Sequence, residues 1–147
     1  MFEVQVPATS ANLACGFDTL GLALNLFYRV EVNSADEGFH LYHEGEGKGR
    51  IKEEDNLFFQ AVKKTWEKVG FSGPGMRVEA FNEIPISRGL GSSAACIVAG
   101  VVSANEIAGR VLNVSQMIEL ASQIEGHPDN VLPAFLGGFT IAFSKEG

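Results

Sequence analysis

Residues 92–108, SSAACIVAGVVSANEIA, are small or apolar on almost every side of a helical wheel. A helix of that kind has no solvated face and belongs at the centre of a domain, with the rest of the chain arranged around it. The 147 residues make one ordinary domain or one half of a larger protein, enough to bury a single core. With 46% hydrophobic and 20% charged residues, the balance is globular and excludes a wholly disordered chain.

The other segments read as strands and helices around that centre. Phe2, Val4 and Val6 alternate with Glu3 and Gln5, giving a half-buried strand that Pro7 should end. Residues 22–32 alternate again. A turn at residues 34–38 and an alternating run at residues 39–43 then predict a hairpin. Residues 44–55 are charged and glycine-rich, as an exposed loop would be. Asp55 should cap a helix with Phe58, Val62, Thr65, Trp66 and Val69 on its apolar side, stopped by Gly70. Residues 76–81 alternate as a further strand, Ser115 should cap a helix ending near Glu125, and residues 137–143 form a last strand. Strands and helices mix without strict alternation, so the fold class is α+β.

Eleven Lys and Arg against eighteen Asp and Glu give a net charge of −7. That surface argues against a dedicated nucleic-acid binder, which needs clustered cations. A small anionic ligand held by backbone N–H groups is still allowed. No uninterrupted apolar run approaches the roughly 20 residues of a membrane span, so no membrane partner is expected. The first residues have neither the basic nor the apolar region of a signal peptide. Cys15 and Cys96, far apart in apolar surroundings, read as reduced thiols of a cytoplasmic protein.

The stretch that carries chemistry is Pro85-Ile86-Ser87-Arg88-Gly89-Leu90-Gly91-Ser92-Ser93-Ala94-Ala95. Its glycines let the backbone turn tightly and approach a ligand. Ser92 and Ser93 bring hydroxyls to the start of a helix whose unpaired N–H groups favour an anion. The chemical reading is a nest for a di- or triphosphate; the bland one is a glycine turn into a serine-capped buried helix. Gly89-x-Gly91-x-x-Ala94 formally fits a dinucleotide-binding pattern, but Pro85 breaks the strand that should precede it. The one Gly-Lys pair, Gly47-Lys48, is followed by Gly49, so no Walker A loop is present.

Pro85-x-x-x-Gly89-Leu90-Gly91-Ser92-Ser93-Ala94 resembles the ATP-binding signature of the GHMP kinases. Pro7-Ala8-Thr9-Ser10-Ala11-Asn12-Leu13, followed by residues 16–21 (GFDTLG), is similar to the N-terminal signature of the homoserine kinases among them. Residues 125–131 (EGHPDNV), then Pro133-Ala134 and Gly137-Gly138, are similar to the same group. Three signatures in order span essentially the whole chain. The homoserine kinases usually carry Gly-Pro where Ala14-Cys15 stands here.

The resemblance implies a GHMP kinase N-terminal domain, a ribosomal protein S5 domain 2-like α+β sandwich over residues 1–147. It implies ATP and Mg2+, and transfer of a phosphoryl group to the side-chain hydroxyl of L-homoserine, a step of threonine biosynthesis. Residues 85–95 would wrap the phosphates, with Ser93 the hydroxyl on magnesium and Ser92 close behind. Asn12 and Asp18 would bind the amino acid and act in catalysis; turn and cap roles are their bland alternatives. Magnesium also needs a carboxylate, either Glu125 or Glu119. Six positions apart, they point about 120° from one another on one helix and do not share a metal. Glu125 is the choice. His127 and Asn130 would contact substrate, and Asp129 would be either a base or the residue that holds its loop together. Arg88 would either clamp phosphate or face solvent. Trp66, Phe58, Phe59 and Phe71 read as core or as a wall beside the nucleotide. A side chain at Gly91 is expected to collide with phosphate and spare the fold.

GHMP kinases run to roughly twice this length with a second, ferredoxin-like domain. The chain is therefore expected to be a truncated or split half whose partner is the missing C-terminal domain, with a homodimer following from family habit alone. The rival readings are a nucleotide-binding or structural module without activity of its own, and a GHMP kinase for another small alcohol such as mevalonate.

Overall fold

The structure is a computed structural model that describes residues 1–11, 19–35, 37–50, 55–73 and 75–142. The elements run β1 (Phe2–Ser10), β2 (Leu20–Ala35), β3 (Phe39–Gly45), α1 (Leu57–Val69), β4 (Gly75–Asn82), α2 (Ser92–Ile107), α3 (Val114–Glu125), α4 (Pro128–Leu136) and β5 (Phe139–Ile141). Strands and helices are mixed as the α+β reading expects.

The sheet has the order β1-β2-β4-β3, with β5 added to the start of β2. In β4 the alternation is unbroken: Met76, Val78 and Ala80 are buried while Arg77, Glu79 and Phe81 are exposed. Val6 of β1 and Tyr28, Val30 and Val32 of β2 join that inner face. Each fully buried valine stabilises the fold by about 1.5–3 kcal/mol relative to exposure.

α2 is the central helix the sequence demands. It is buried on all sides from Ala94 to Asn105 and packs against α1, α3, β1 and β2. It meets α1 closely at Gly100, where a Cβ would overlap the Phe58 carbonyl oxygen and stand 2.8 Å from Ala61 Cβ. Trp66 Nε1 donates to the Ala104 carbonyl at 3.1 Å, and Phe58, Phe59 and Trp66 lie in the core. Of the two roles open to this aromatic set, the structure gives those three the core.

Several local expectations fail for physical reasons. β1 does not stop at Pro7: the register slips between Pro7 and Ala8, so the partner jumps from Phe27 to Leu24. A bulge absorbs the missing N–H, and the strand continues. The expected hairpin is absent, because β3 pairs in parallel with β4, which lies between β3 and β2. A period of two fixes which face a strand buries, not which strand sits beside it. The parallel pair needs a long crossover, and α1 is part of it. α1 is capped by Asn56, whose Oδ1 accepts the Phe58 N–H at 2.9 Å, rather than by Asp55. α3 is capped by Asn113 in a reciprocal box with Gln116, which Ser115 has no means of making. The loop expected around Asp129 is instead part of a helix, Pro128–Leu136. Pro128 occupies its first turn, where no N–H is needed, and Pro133 is accommodated inside. The last strand is shorter than expected, Phe139–Ile141, with residue 143 outside the described residues. Among the described residues no helix is long and apolar enough to cross a membrane.

Candidate active site

The loop of residues 83–91 delivers the chain from β4 to the start of α2, and its geometry follows from its glycines. Gly89 and Gly91 have φ of +71° and +66°, in the left-handed region that glycine favours, and Ser87 shares it at +57°. Gly91 is the N-cap of α2 and offers no side chain to the first-turn N–H groups. The first intrahelical bond is Ala95 N–H to the Gly91 carbonyl, so the donors before it open outward from the helix start.

Those donors border a cleft of about 680 Å³. Residues 85–93 line it, apart from Arg88, which is exposed. Ala94 and Ala95 do not reach the cleft; both are fully buried beneath the loop. At Gly89 a Cβ would meet nothing within 4 Å, so the space beside it is open. At Gly91 a Cβ would overlap Thr9 Oγ1 and lie 3.2 Å from Asn130 Oδ1. This corrects the expectation that a side chain there spares the fold: its first collision is with the protein itself.

The end of α3 and the start of α4 close the cleft. Ser93 Oγ donates a hydrogen bond to Glu125 Oε1. Glu125 is the last residue of α3, so the α3–α4 corner brings a carboxylate to the first turn of α2. Partial burial pushes the Glu125 carboxyl above the usual carboxylate range. The Ser93 hydrogen bond and nearby His127 pull it back, and Asp129 adds to the rise. Glu119 is exposed and accepts from Gln123 Nε2 at 3.3 Å. Of the two carboxylates considered, Glu125 is the one that meets Ser93. His127 is the exposed N-cap of α4 and does not line the cleft. Asp129 is buried, and its Oδ1 accepts the Asn130 N–H at 2.9 Å. Asn130 lines the cleft beside the loop. Asn12 and Asp18 lie outside the described residues.

The floor and far wall were missed by sequence reasoning. Tyr28 and Cys96 lie against the floor, where burial raises the tyrosine well above its ordinary value and the thiol to about 12. The Tyr28 hydroxyl hydrogen-bonds the sulfur, and at neutral pH neither group carries charge. Cys96 is a free cysteine. His43, Arg50, Asn56, Leu57 and Asn82 line the cleft as well. Alternation alone places His43 on the face of Phe39 and Leu41, a signal that was available. Asn56 and Asn82 gave none. Asn82 holds two segments together, accepting Ile84 N–H at 2.9 Å and donating to the Glu46 carbonyl at 3.1 Å.

No group of three or more His, Cys, Asp and Glu placed to hold a metal occurs among the described residues. The Ser93–Glu125 pair supplies a hydroxyl and one carboxylate at the helix start. That is a small oxygen set of the kind magnesium uses together with phosphate and water.

Comparison with known proteins agrees with this geometry. The family described as GHMP kinases N terminal domain matches residues 56–138. The homoserine kinase of Clostridium botulinum (strain 657) is 52% identical over 146 residues, 99% of this chain and 48% of that protein. The crystal structure of homoserine kinase from Cytophaga hutchinsonii superposes with a TM-score of 0.85 at 34% identity, over 97% of this chain and 48% of that one. Methanococcus jannaschii mevalonate kinase shares the fold, with a TM-score of 0.78 at 15% identity over 99% of this chain and 56% of that one. The chain spans about half the length of the curated relatives it matches. With a left-handed glycine turn opening the central helix onto a cleft, and a family match that includes that loop and helix, the chain belongs to the GHMP kinases as their N-terminal domain.

Proposed function

We propose that this chain is the ATP-binding half of a homoserine kinase, which transfers the γ-phosphoryl of ATP to the side-chain hydroxyl of L-homoserine. The observation that carries the reading is the cleft at the start of α2, where free N–H groups, open space beside Gly89 and the Ser93–Glu125 pair converge. The similarity to homoserine kinases along 99% of the chain supports the choice of alcohol.

Phosphoryl transfer asks little covalent work of a protein; it asks for alignment and for neutralised charge. The first-turn amides of α2 receive phosphate oxygens, and the helix dipole favours them. Ser93 and Glu125 would hold Mg2+, which neutralises phosphate charge when bound. Glu125 serves this role as the ionised carboxylate, and its raised pKa places the loss of the site at the acid end of the pH range. Asn130 presents its amide from α4, and Asn12 and Asp18 are proposed to take the amino acid's polar groups, an ammonium suiting the carboxylate. Asp129, bound to a backbone N–H, supports the holding role over that of a base, in keeping with catalysis by alignment.

ADP release tests the reading. The chain joined to the second half of the C. botulinum relative is expected to release ADP with L-homoserine and not with mevalonate. ADP release with mevalonate alone would move the assignment to another alcohol. Silence with both, alongside saturable Mg·ATP binding, would favour a nucleotide-binding module.

A further inference from the structure

We propose that Thr9, on β1, is a positioning residue that fixes the side-chain amide of Asn130 with its NH2 group toward the cleft. Thr9 is fully buried, and its Oγ1 lies 2.8 Å from Asn130 Oδ1, across 121 positions of sequence. Asn130 is the hydroxyl's partner among the described residues. A buried hydroxyl has one proton, and leaving it without an acceptor costs more than the net gain of making the bond. The proton is therefore spent on the amide oxygen, and the amide cannot turn over without stranding it. Asn130 lines the cleft, so its two N–H donors are the atoms left to meet a ligand. Such a group recognises an acceptor oxygen, a carboxylate or phosphoryl oxygen, and not the proton of a hydroxyl.

The same residue ties this choice to the phosphate loop. The Thr9 N–H donates to the Leu90 carbonyl at 3.0 Å, and its Oγ1 fills the space that a side chain at Gly91 would take. One residue of β1 thus touches the loop through its backbone and α4 through its hydroxyl. Its position inside the run Pro7-Ala8-Thr9-Ser10 gives no hint of this role.

The ligand half of the inference rests on the kinase reading; the orientation of the amide does not. The test uses the 147-residue chain, labelled for side-chain amide NMR, with the Asn130 resonances identified by their loss in Asn130→Ala. Accepting the hydroxyl proton deshields the Asn130 carbonyl carbon. In Thr9→Val, of nearly the same shape, that resonance moves upfield; in Thr9→Ser it stays near the wild-type position. An unchanged carbonyl resonance in Thr9→Val overturns the proposal. Titration with L-homoserine in one arm and Mg·ATP in the other then shows whose oxygen the N–H pair meets. That ligand weakens at least about tenfold in Thr9→Val and recovers in Thr9→Ser, as loss of a hydrogen bond to a charged group predicts. Equal affinity in Thr9→Val and wild type also overturns it. An upfield shift in the 147-residue chain, together with binding of neither ligand by the wild-type chain joined to the second half of the C. botulinum relative, sinks the kinase reading and leaves the positioning role intact.

Discussion

The two halves of the glycine loop look alike in sequence and do different work. Gly89 and Gly91 share a left-handed backbone, yet one faces open space in the cleft and the other faces Thr9. Residues 85–93 other than Arg88 line the cleft, but Leu90 and Gly91 are also held against Thr9 of β1, and Ala94 and Ala95 lie in the core. A glycine can thus be required by the protein's own packing or by what it must leave room for. Motif matching does not separate the two cases; the surroundings do.

The largest effect expected from breaking this contrast is in Gly91→Val. A β-branched residue at positive φ, overlapping Thr9, should lose about 3–5 kcal/mol of stability from strain and overpacking together. Denaturant unfolding reads this directly, and a wild-type midpoint would show that the loop yields freely. Gly89→Ala should separate fold from function: about 1–2 kcal/mol for the left-handed backbone, but at least a tenfold loss of Mg·ATP affinity by calorimetry. Unchanged affinity there would put the phosphates elsewhere.

Glu125→Gln sharpens the cleft side. A carboxyl whose folded pKa is raised stabilises the fold fully below its unfolded value near 4.3, and that contribution is lost as pH rises through the folded value. The stability of Glu125→Gln relative to wild type should therefore climb from about pH 4 toward neutrality, and Mg2+ should no longer tighten nucleotide binding. A flat difference across that range would mean that burial does not penalise the charge. The smallest effect belongs to Arg88→Ala. Its side chain lies outside the cleft, so nucleotide affinity should change less than about twofold, the size of a screened surface charge.

What could be read in advance follows from how local each cause is. The buried helix at residues 92–107 was legible because its apolar content runs all the way round, and β4 because its alternation is unbroken. The loop was legible because positive φ and a free helix start need particular residues at particular spacings. The neighbour of β3 was not, because Phe39 and Leu41 specify a face and say nothing about which strand lies beside them. α4 was hidden by Pro128 and Pro133, which read as a loop until the first is recognised as a helix start. Within the site, Ser93 and Glu125 were singled out by the resemblance, but their meeting depends on the angle between α3 and α2. Tyr28 and Cys96 reach the cleft from positions that pattern alone assigns to the core.

The missing side chain at residue 100 acts as a gauge for the mouth of the cleft. Asn56 and Leu57 stand on one rim at the start of α1, and Ser92 and Ser93 on the other at the start of α2. The two helices touch at Gly100, about 12 Å along α2 from Ser92, where the Phe58 carbonyl allows nothing larger than hydrogen. A methyl group at that point would prise the rims apart like the jaws of a calliper. The aperture offered to a guest is therefore set deep in the interior, by an atom that no guest touches.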